Sequence, residues 1–417
     1  MSSGWKECSL GDLFQIKHGY AFKGAHFGTE GSHIVLTPGN FHDAGGFKKK
    51  GEKEKWYSGE VPEDYILSEG DLIVAMTEQA EGLLGSSAII PEDGRYLHNQ
   101  RLGLIEDVNG ADKHFLYYLF NSLPVRQQIR ASCSGVKVRH TSPSRIYEVK
   151  AKIPDLPTQR RIAGILSAYD DLIENNLQRI RILEEMAQSL YREWFVHFRI
   201  PSEVLQKAGL PPEITLVDSP LGPIPDGWEI RPVNDVCSLK SGYAFKSKDF
   251  DKNGEWPLVI IKNVQDRNFI PDCTNALVEV PEKVPDYCYL KDGDLLLSLT
   301  GNIGRVCIVF GGNYLLNQRV AKLVPKTSAD SGFVYCFFAD EDARTRLENI
   351  ASGVAQQNLS PVQTGKTDIK LPPDSLRNEF ASFANKILEQ IVVLQRRNQT
   401  LRQTLDLLLP KLLTSDE

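Results

Sequence analysis

The chain has 417 residues, 41% hydrophobic and 24% charged, with a formal net charge of −6, the composition of a globular protein of two to four domains. No apolar run approaches the roughly 18 residues of a membrane span, and the opening MSSGWKECSL has no signal-peptide core. The acidic balance argues against a surface that grips nucleic acid everywhere and leaves local patches or a basic partner. Cys8, Cys133, Cys237, Cys273, Cys288, Cys307 and Cys336 show no CxxC spacing. They read as reduced thiols of a cytoplasmic protein, not a disulfide frame or a zinc site.

In chain order, residues 1–156 read as a mixed domain. Residues 71–76 and 87–90 carry strand patterns between Gly-rich turns, and 113–123 a short helix with an aromatic face. Residues 157–200 read as one long helix. The Pro- and Gly-rich stretch 201–224 reads as an ordered, extended connector. Residues 225–375 repeat the mixed domain, with strands at 294–299 and 306–310 and a short helix at 331–338, and residues 376–417 repeat the long helix.

The long helices carry heptad seams. Ile162, Leu166, Tyr169, Ile173, Asn176, Ile180, Leu183, Ala187, Leu190 and Trp194 alternate steps of four and three, and Gly164 is the one helix breaker among them. Phe380, Ala384, Ile387, Ile391, Leu394, Asn398, Leu401, Leu405, Leu408 and Leu412 do the same. A parallel pairing in repeat register sets Asn176 against Leu394 and Asn398 against Ile180, leaving two amides facing aliphatic groups. An antiparallel pairing with residue numbers summing to 574 sets Asn176 on Asn398, Trp194 on Phe380 and Ile162 on Leu412. Each amide can then donate to the other, and a polar pair fixes register at some cost in stability. The expectation is an intramolecular antiparallel coiled coil about 45–50 Å long, at about 1.5 Å per residue, with a mixed domain at each end. Such a rod exceeds one turn of B-DNA, about 34–36 Å, and suits a reader of two separated half-sites. The alternative is two separate helices on two separate cores.

The chain is one unit written twice. Gly19-Tyr-Ala-Phe-Lys23 recurs as Gly242-Tyr-Ala-Phe-Lys246, and Gly70-Asp71-Leu72 as Gly293-Asp294-Leu295, at an offset of 223. The first copy then carries extra residues. From Tyr96 and Tyr314 onward the offset is 218, so that Asn99-Gln100-Arg101 meets Asn317-Gln318-Arg319 and Pro154 meets Pro372.

Ser360-Pro-Val-Gln-Thr-Gly365-Lys366-Thr367 resembles a phosphate-binding loop, but its first glycine is a serine and the first copy has Tyr147-Glu148 in place of Gly365-Lys366. No catalytic triad, methyltransferase tetrad or carboxylate–lysine nuclease cluster is supportable from spacing. Binding chemistry remains. Where two copies read two different sequences, residues kept in both hold the fold or grip the DNA backbone. Backbone candidates are therefore Lys23, Thr77, Gln100, Arg101, Lys246, Thr300, Gln318 and Arg319. The Asn-Gln-Arg turns could equally satisfy buried backbone. Base readers belong where the copies diverge: Gln79, Lys137, Arg139 and His140 in the first, beside Glu78 and Lys48–Lys50. In the second copy they are Lys262, Asn263, Arg267, Asn302, Arg305, Gln356, Gln357 and Asn358. Asn and Gln pair with adenine, Arg and Lys with guanine, in the major groove.

Glu193-Trp194-Phe195-Val196-His197-Phe198-Arg199, followed by Asp218-Ser219-Pro-Leu-Gly222-Pro-Ile-Pro225-Asp-Gly227-Trp228-Glu229, resembles the specificity (S) subunit of type I restriction–modification systems. So do the Gly-Tyr-Ala-Phe-Lys repeats and Thr300-Gly-Asn-Ile-Gly304. The resemblance covers essentially the whole chain. It implies two target recognition domains (1–156 and 225–375) separated by spacer helices (157–200 and 376–417). The implied fold class is α+β, two tandem-repeated mixed α/β target recognition domains separated by two long helices forming an intramolecular antiparallel coiled coil. It implies a non-enzymatic chain that binds double-stranded DNA, two methyltransferase (M) subunits and restriction (R) subunits, each domain reading one part of a bipartite target. S-adenosylmethionine and ATP with Mg belong to those partners; none is expected on this chain. The first copy departs at the stretched loop 77–85 and at Arg139-His140. Two other readings stay open: a specificity subunit whose partner fuses methylase and nuclease, and an enzyme using Gly365-Lys366-Thr367. A purely structural scaffold leaves the divergent domains unexplained.

Overall fold

The computed structural model describes residues 4–79, 82–351 and 358–413. Two compact units result, Met1–Leu172 with Leu401–Glu417, and Ile173–Thr400. The unit boundaries cut both long helices, so each unit is one mixed domain together with a stretch of both helices, rather than domain and spacer standing apart.

The two units share one topology. In the first, an antiparallel sheet runs Gln15–His18, Leu102–Glu106, Leu72–Ala75, Ser87–Ile89; in the second, Cys237–Ser241, Val320–Pro325, Leu295–Ser298, Val306–Ile308. The central strands are continuous apolar runs because both faces are covered: Leu72–Ala75 and Leu295–Ser298 are buried throughout. One side of each sheet packs on the short helices and the long helix, the other on a second small sheet. A ribbon closes each module, pairing Lys6–Ser9 with Lys150–Ile153 and Glu229–Pro232 with Asp368–Leu371. Each ribbon's second strand leads into the long helix of its module.

Different side chains tie each long helix to its domain at equivalent places. Gln159 accepts the Asp112 N–H and donates to the Pro154 carbonyl, both at 2.9 Å. Arg377, 218 residues on, pairs with Asp330 at 2.9 Å and donates to the Pro372 carbonyl at 2.7 Å. Both are buried, and a buried polar group needs such partners to avoid a desolvation penalty.

The first long helix runs Leu156–Tyr191 and the second Asp374–Leu413. The first ends short of the expected residue 200. It widens into a π turn over Arg192–Val196, and the neighbours Trp194 and Phe195 are both buried there. The antiparallel pairing is present. Asn176 donates to the Asn398 carbonyl oxygen at 2.8 Å in a buried seam. The return bond differs from expectation, since the Asn398 amide donates to the Ile173 main-chain carbonyl at 3.4 Å. Trp194 meets Phe380 edge-on at 5.8 Å. In the first unit Ile162, Leu166, Leu408 and Leu412 share one apolar cluster. The connector is not extended throughout: it holds a short helix, Ser202–Lys207, and a two-residue ribbon pairing Leu216–Val217 with Ile224–Pro225.

The first long helix also buries Glu184 in the second unit, where it accepts the Tyr335 hydroxyl at 3.2 Å with Arg267 at 4.0 Å. Burial pushes its carboxyl up from 4.5 to about 7, with the Arg267 charge and the Tyr335 hydrogen bond opposing.

Two predictions follow from these contacts. Asn398→Leu strands the Asn176 amide and should cost about 1–3 kcal/mol, while adding Asn176→Leu should restore or exceed the parent stability; denaturation of the three variants checks this. For Glu184, the raised folded-state value means that the ionised form is penalised, so stability is lost as pH rises from 4.5 to about 7. The melting-temperature advantage of Glu184→Gln should open across that window and level off above it.

Candidate nucleic-acid interface

The two repeated motifs of each copy meet. A Cβ on Gly19 would lie 2.1 Å from the Asn99 carbonyl oxygen, and one on Gly242 2.3 Å from that of Asn317. Only glycine allows this approach. It lets Tyr20 bridge to Asn99 and Tyr243 to Asn317 as parallel pairs. The asparagines then serve the turn: Asn99 accepts the Arg101 N–H at 3.1 Å and Asn317 the Gln318 N–H at 2.7 Å. The arginine carbonyls accept from the neighbouring strand ends, Met76 N–H at 3.0 Å and Leu299 N–H at 3.1 Å. Asparagine and main chain are thus used by the fold, and Gln100, Arg101, Gln318 and Arg319 stand exposed. Lys23 and Lys246 are exposed beside edge-on aromatic pairs, Tyr20–Phe22 and Tyr243–Phe245.

A third element pairs with the end of the same sheet. Thr77 lies opposite His140, and Thr300 opposite Asn358. The two pairings are equivalent in the repeat, although 223 residues separate the threonines and 218 their partners. In the second unit Thr300, Gln318, Arg319 and Asn358 line one cleft of about 410 Å³. Among the described residues the buried Thr300 hydroxyl has no partner. A neighbouring cleft of about 350 Å³ shares Gln318 and Arg319 and adds Lys262. Another, of about 290 Å³, holds Asn302 and Arg305 with Arg344. The first two clefts share Gln318 and Arg319 and so bring three of the four second-copy backbone candidates together with Lys262 and Asn358, while Asn302 and Arg305 line a separate cleft and Lys246 lines none of the three.

Other expectations need correction. Asn263 is 2% exposed and fully engaged, accepting the Ile260 N–H at 2.9 Å and donating to the Ile270 and Asp272 carbonyls at 2.8 and 3.2 Å. It holds a turn, with its amide engaged by main-chain groups. Asn40 does the same work in the first copy, accepting the Thr37 N–H at 3.0 Å, so the offset of 223 already carried the signal. Arg267 takes a left-handed backbone, φ 54°, and its guanidinium, still partly exposed, faces Glu184 at 4.0 Å and Asp266 at 3.9 Å. Gln356 and Gln357 lie outside the described residues.

In the first copy Glu78 is buried and holds Gly82 and Leu84. One carboxylate oxygen accepts the Gly82 and Leu84 N–H groups at 3.1 and 2.8 Å, the other faces Arg139 at 3.3 Å. Gln79, Lys137 and His140 are exposed and Thr77 is half-buried. Sequence reasoning missed Arg126 and its equivalent Arg344. Arg126 is buried and donates to the Gly82 and Asp43 carbonyls, the latter at 3.1 Å, and desolvation pushes its guanidinium down to about 10. Both arginines lie under a loop glycine: a Cβ on Gly85 would be 3.5 Å from Arg126 Cδ, and one on Gly304 3.2 Å from Arg344 Cγ. Arginine at the same place in both copies was the available signal.

The phosphate-loop likeness dissolves. Pro361–Gly365 is a short helix capped by Ser360, which accepts the Gln363 N–H at 3.4 Å, as Ser142 caps Pro143–Tyr147. Among the described residues no group of three or more His, Cys, Asp or Glu is placed to hold a metal, and no helix is long and apolar enough to cross a membrane.

A duplicated scaffold that keeps an exposed Gln-Arg turn and varies the loops beside it has the form of a sequence-reading module. Residues 2–185 and 225–403 match the model of the type I restriction modification DNA specificity domain. The chain belongs to that family and carries two copies of the domain. It is similar to the MjaIX specificity subunit of Methanocaldococcus jannaschii, 26% identical over 75% of this chain and 71% of the relative. It is also similar to the EcoBI specificity subunit of Escherichia coli, 24% identical over 93% of this chain and 81% of the relative. Its fold matches the crystal structure of the type I restriction–modification S subunit from M. genitalium with a TM-score of 0.59, at 16% identity and covering 100% and 97% of the two chains.

Arg319→Ala should weaken DNA binding across sequences and lower the slope of log affinity against log salt by about 1. Asn263→Ala should instead lower the melting temperature and leave the target sequence unchanged. A changed target with an unchanged melting temperature would make Asn263 a reader.

Proposed function

We propose that this chain is the DNA-reading subunit of a type I restriction–modification complex and is itself non-catalytic. Each recognition domain takes one part of a split target, and the paired long helices set the unread gap. Lys23, Arg101, Lys246 and Arg319, each kept at an equivalent place and exposed, contact phosphates. Gln318 joins them at the DNA backbone, and the exposed loop residues Lys262, Asn302 and Asn358 approach base edges in the second half-site. Gln79, Lys137 and His140 do so in the first. Two methyltransferase subunits and the restriction subunits assemble on the chain. The S-adenosylmethionine that supplies the methyl group and the ATP and Mg that drive restriction are held by those partners.

The observation that carries this reading is the cleft joining Thr300, Gln318, Arg319 and Asn358. It places side chains kept in both copies directly against one that differs, as a reader with a constant grip and a variable specificity requires. Phosphate gripping by few cations also fits a chain of net charge −6, since partners surround the duplex as well.

The test is single-molecule mapping of methyladenine across the host genome, with and without the gene. A split motif, methylated in both halves, should vanish on deletion and return with the intact gene. Unchanged methylation on deletion would contradict the reading.

A further inference from the structure

The first unit carries an open apolar groove whose counterpart in the second unit is filled. The groove has a volume of about 410 Å³; Leu119, Leu123, Val125, Ala151, Leu409 and Leu413 form its floor, and Lys150 and Lys152 its rim. Leu123 is 66% exposed and adjoins the other apolar side chains of the groove, so that it adds to one contiguous apolar patch.

The repeat shows what such a groove receives. At the offset of 218, Leu409 and Leu413 correspond to Tyr191 and Phe195, and Lys152 to Lys370. In the second unit the Phe195 ring fills the position, packed on Phe380, Phe333 and Trp228 at 4.9, 5.2 and 5.9 Å. Arg192, the counterpart of Pro410, closes the side by pairing with Asp340 at 3.0 Å. The connector then covers the face. Phe198, in a left-handed backbone with φ 57°, stands edge-on to Trp228 at 5.3 Å. Lys370 lies over the Phe198 ring at 5.4 Å and donates to the Pro223 carbonyl at 3.1 Å. In the first unit leucines replace the two aromatic rings, and Pro410 and Ser122 replace the ion pair. Lys152 stands exposed at the open edge. The rim is also more basic, since Lys150 stands where the second copy has Asp368. The connector that closes the second site is acidic: residues 201–226 hold Glu203, Glu213, Asp218 and Asp226 against Lys207.

We propose that this groove is a docking site for an extended, acidic segment of a partner polypeptide that carries prolines and an aromatic ring. It binds as the connector binds in the second unit, with the ring on the leucine floor and a carbonyl or carboxylate oxygen on Lys152. The inference rests on the internal repeat and stands independently of DNA reading.

The probe is a fluorescent peptide copying residues 197–228 of this chain, titrated into the full-length protein. Saturable binding is expected, weakened about tenfold or more by Leu123→Glu and by Lys152→Glu with the melting temperature unchanged. A second measurement leaves the protein untouched: the same peptide with Phe198→Ala and with Glu203, Glu213, Asp218 and Asp226 replaced by their amides should lose binding, so loss of stability in one variant does not decide the matter. Absence of saturable binding, or binding unaffected by Leu123→Glu and by the altered peptide, would overturn the proposal. Self-association of the unmodified chain that Leu123→Glu abolishes would overturn it too, in favour of a second copy as occupant.

Discussion

The hydrogen bond between Asn176 and Asn398 is the constraint on which the rest depends. An amide buried in an apolar seam is costly unless it finds a partner, and in this seam each asparagine supplies that partner in one register. Slippage by a heptad would separate the two, setting Asn176 against Ile391 or Leu405 and Asn398 against Tyr169 or Leu183. The bond adds little net stability, since a hydrogen bond exchanged with water is worth about 0.5–1.5 kcal/mol. Its value lies in what it forbids. With the register fixed, Trp194 meets Phe380 and the aromatic cluster around Phe195 and Phe333 can form.

Duplication then separates two kinds of residue. Some places keep the identity because the geometry admits nothing else, as at Gly19 and Gly242, where a Cβ would collide with a carbonyl oxygen. Others keep the task and change the residue. Gln159 and Arg377 both hold a helix start to a proline carbonyl, one as a neutral amide and one as a buried cation balanced by Asp330. The loops diverge most, and there the two copies reach order by different means. The first fixes its longer loop with Glu78 and Arg126 from beneath. Both loops carry two positive-φ glycines, Gly82 and Gly85 in the first and Gly301 and Gly304 in the second, and the second adds Ser298 donating to the Asn302 carbonyl.

Much of the fold was legible in the sequence because it is written in periods. Alternating steps of four and three gave the long helices, and the matched asparagines gave their direction. The repeat gave two modules, which share one strand order. Local hydrogen bonding was less legible. Asn263 looked like a variable reader because its neighbours differ between copies; its task became visible only with Asn40 beside it. Arg267 and Arg126 face partners that sequence spacing does not place near them. The helix end was missed because burying the adjacent rings of Trp194 and Phe195 needs a widened turn that no heptad pattern encodes. The groove of the first unit was also illegible, since it arises from many exchanges between the copies, Leu123 for Glu341 and Leu413 for Phe195 among them, that are each unremarkable alone.

The most direct test of the proposed reader with a fixed gap is to insert seven residues of matching heptad sequence into both long helices, between Ile173 and Ile180 and between Leu394 and Leu401, and to map methyladenine. At about 1.5 Å per residue the insertion adds about 10 Å, which is about three base pairs at about 3.4 Å each. Both half-sites should remain unchanged while the gap between them lengthens by that amount. An unchanged gap in a complex that still methylates would show that the paired helices do not set the spacing.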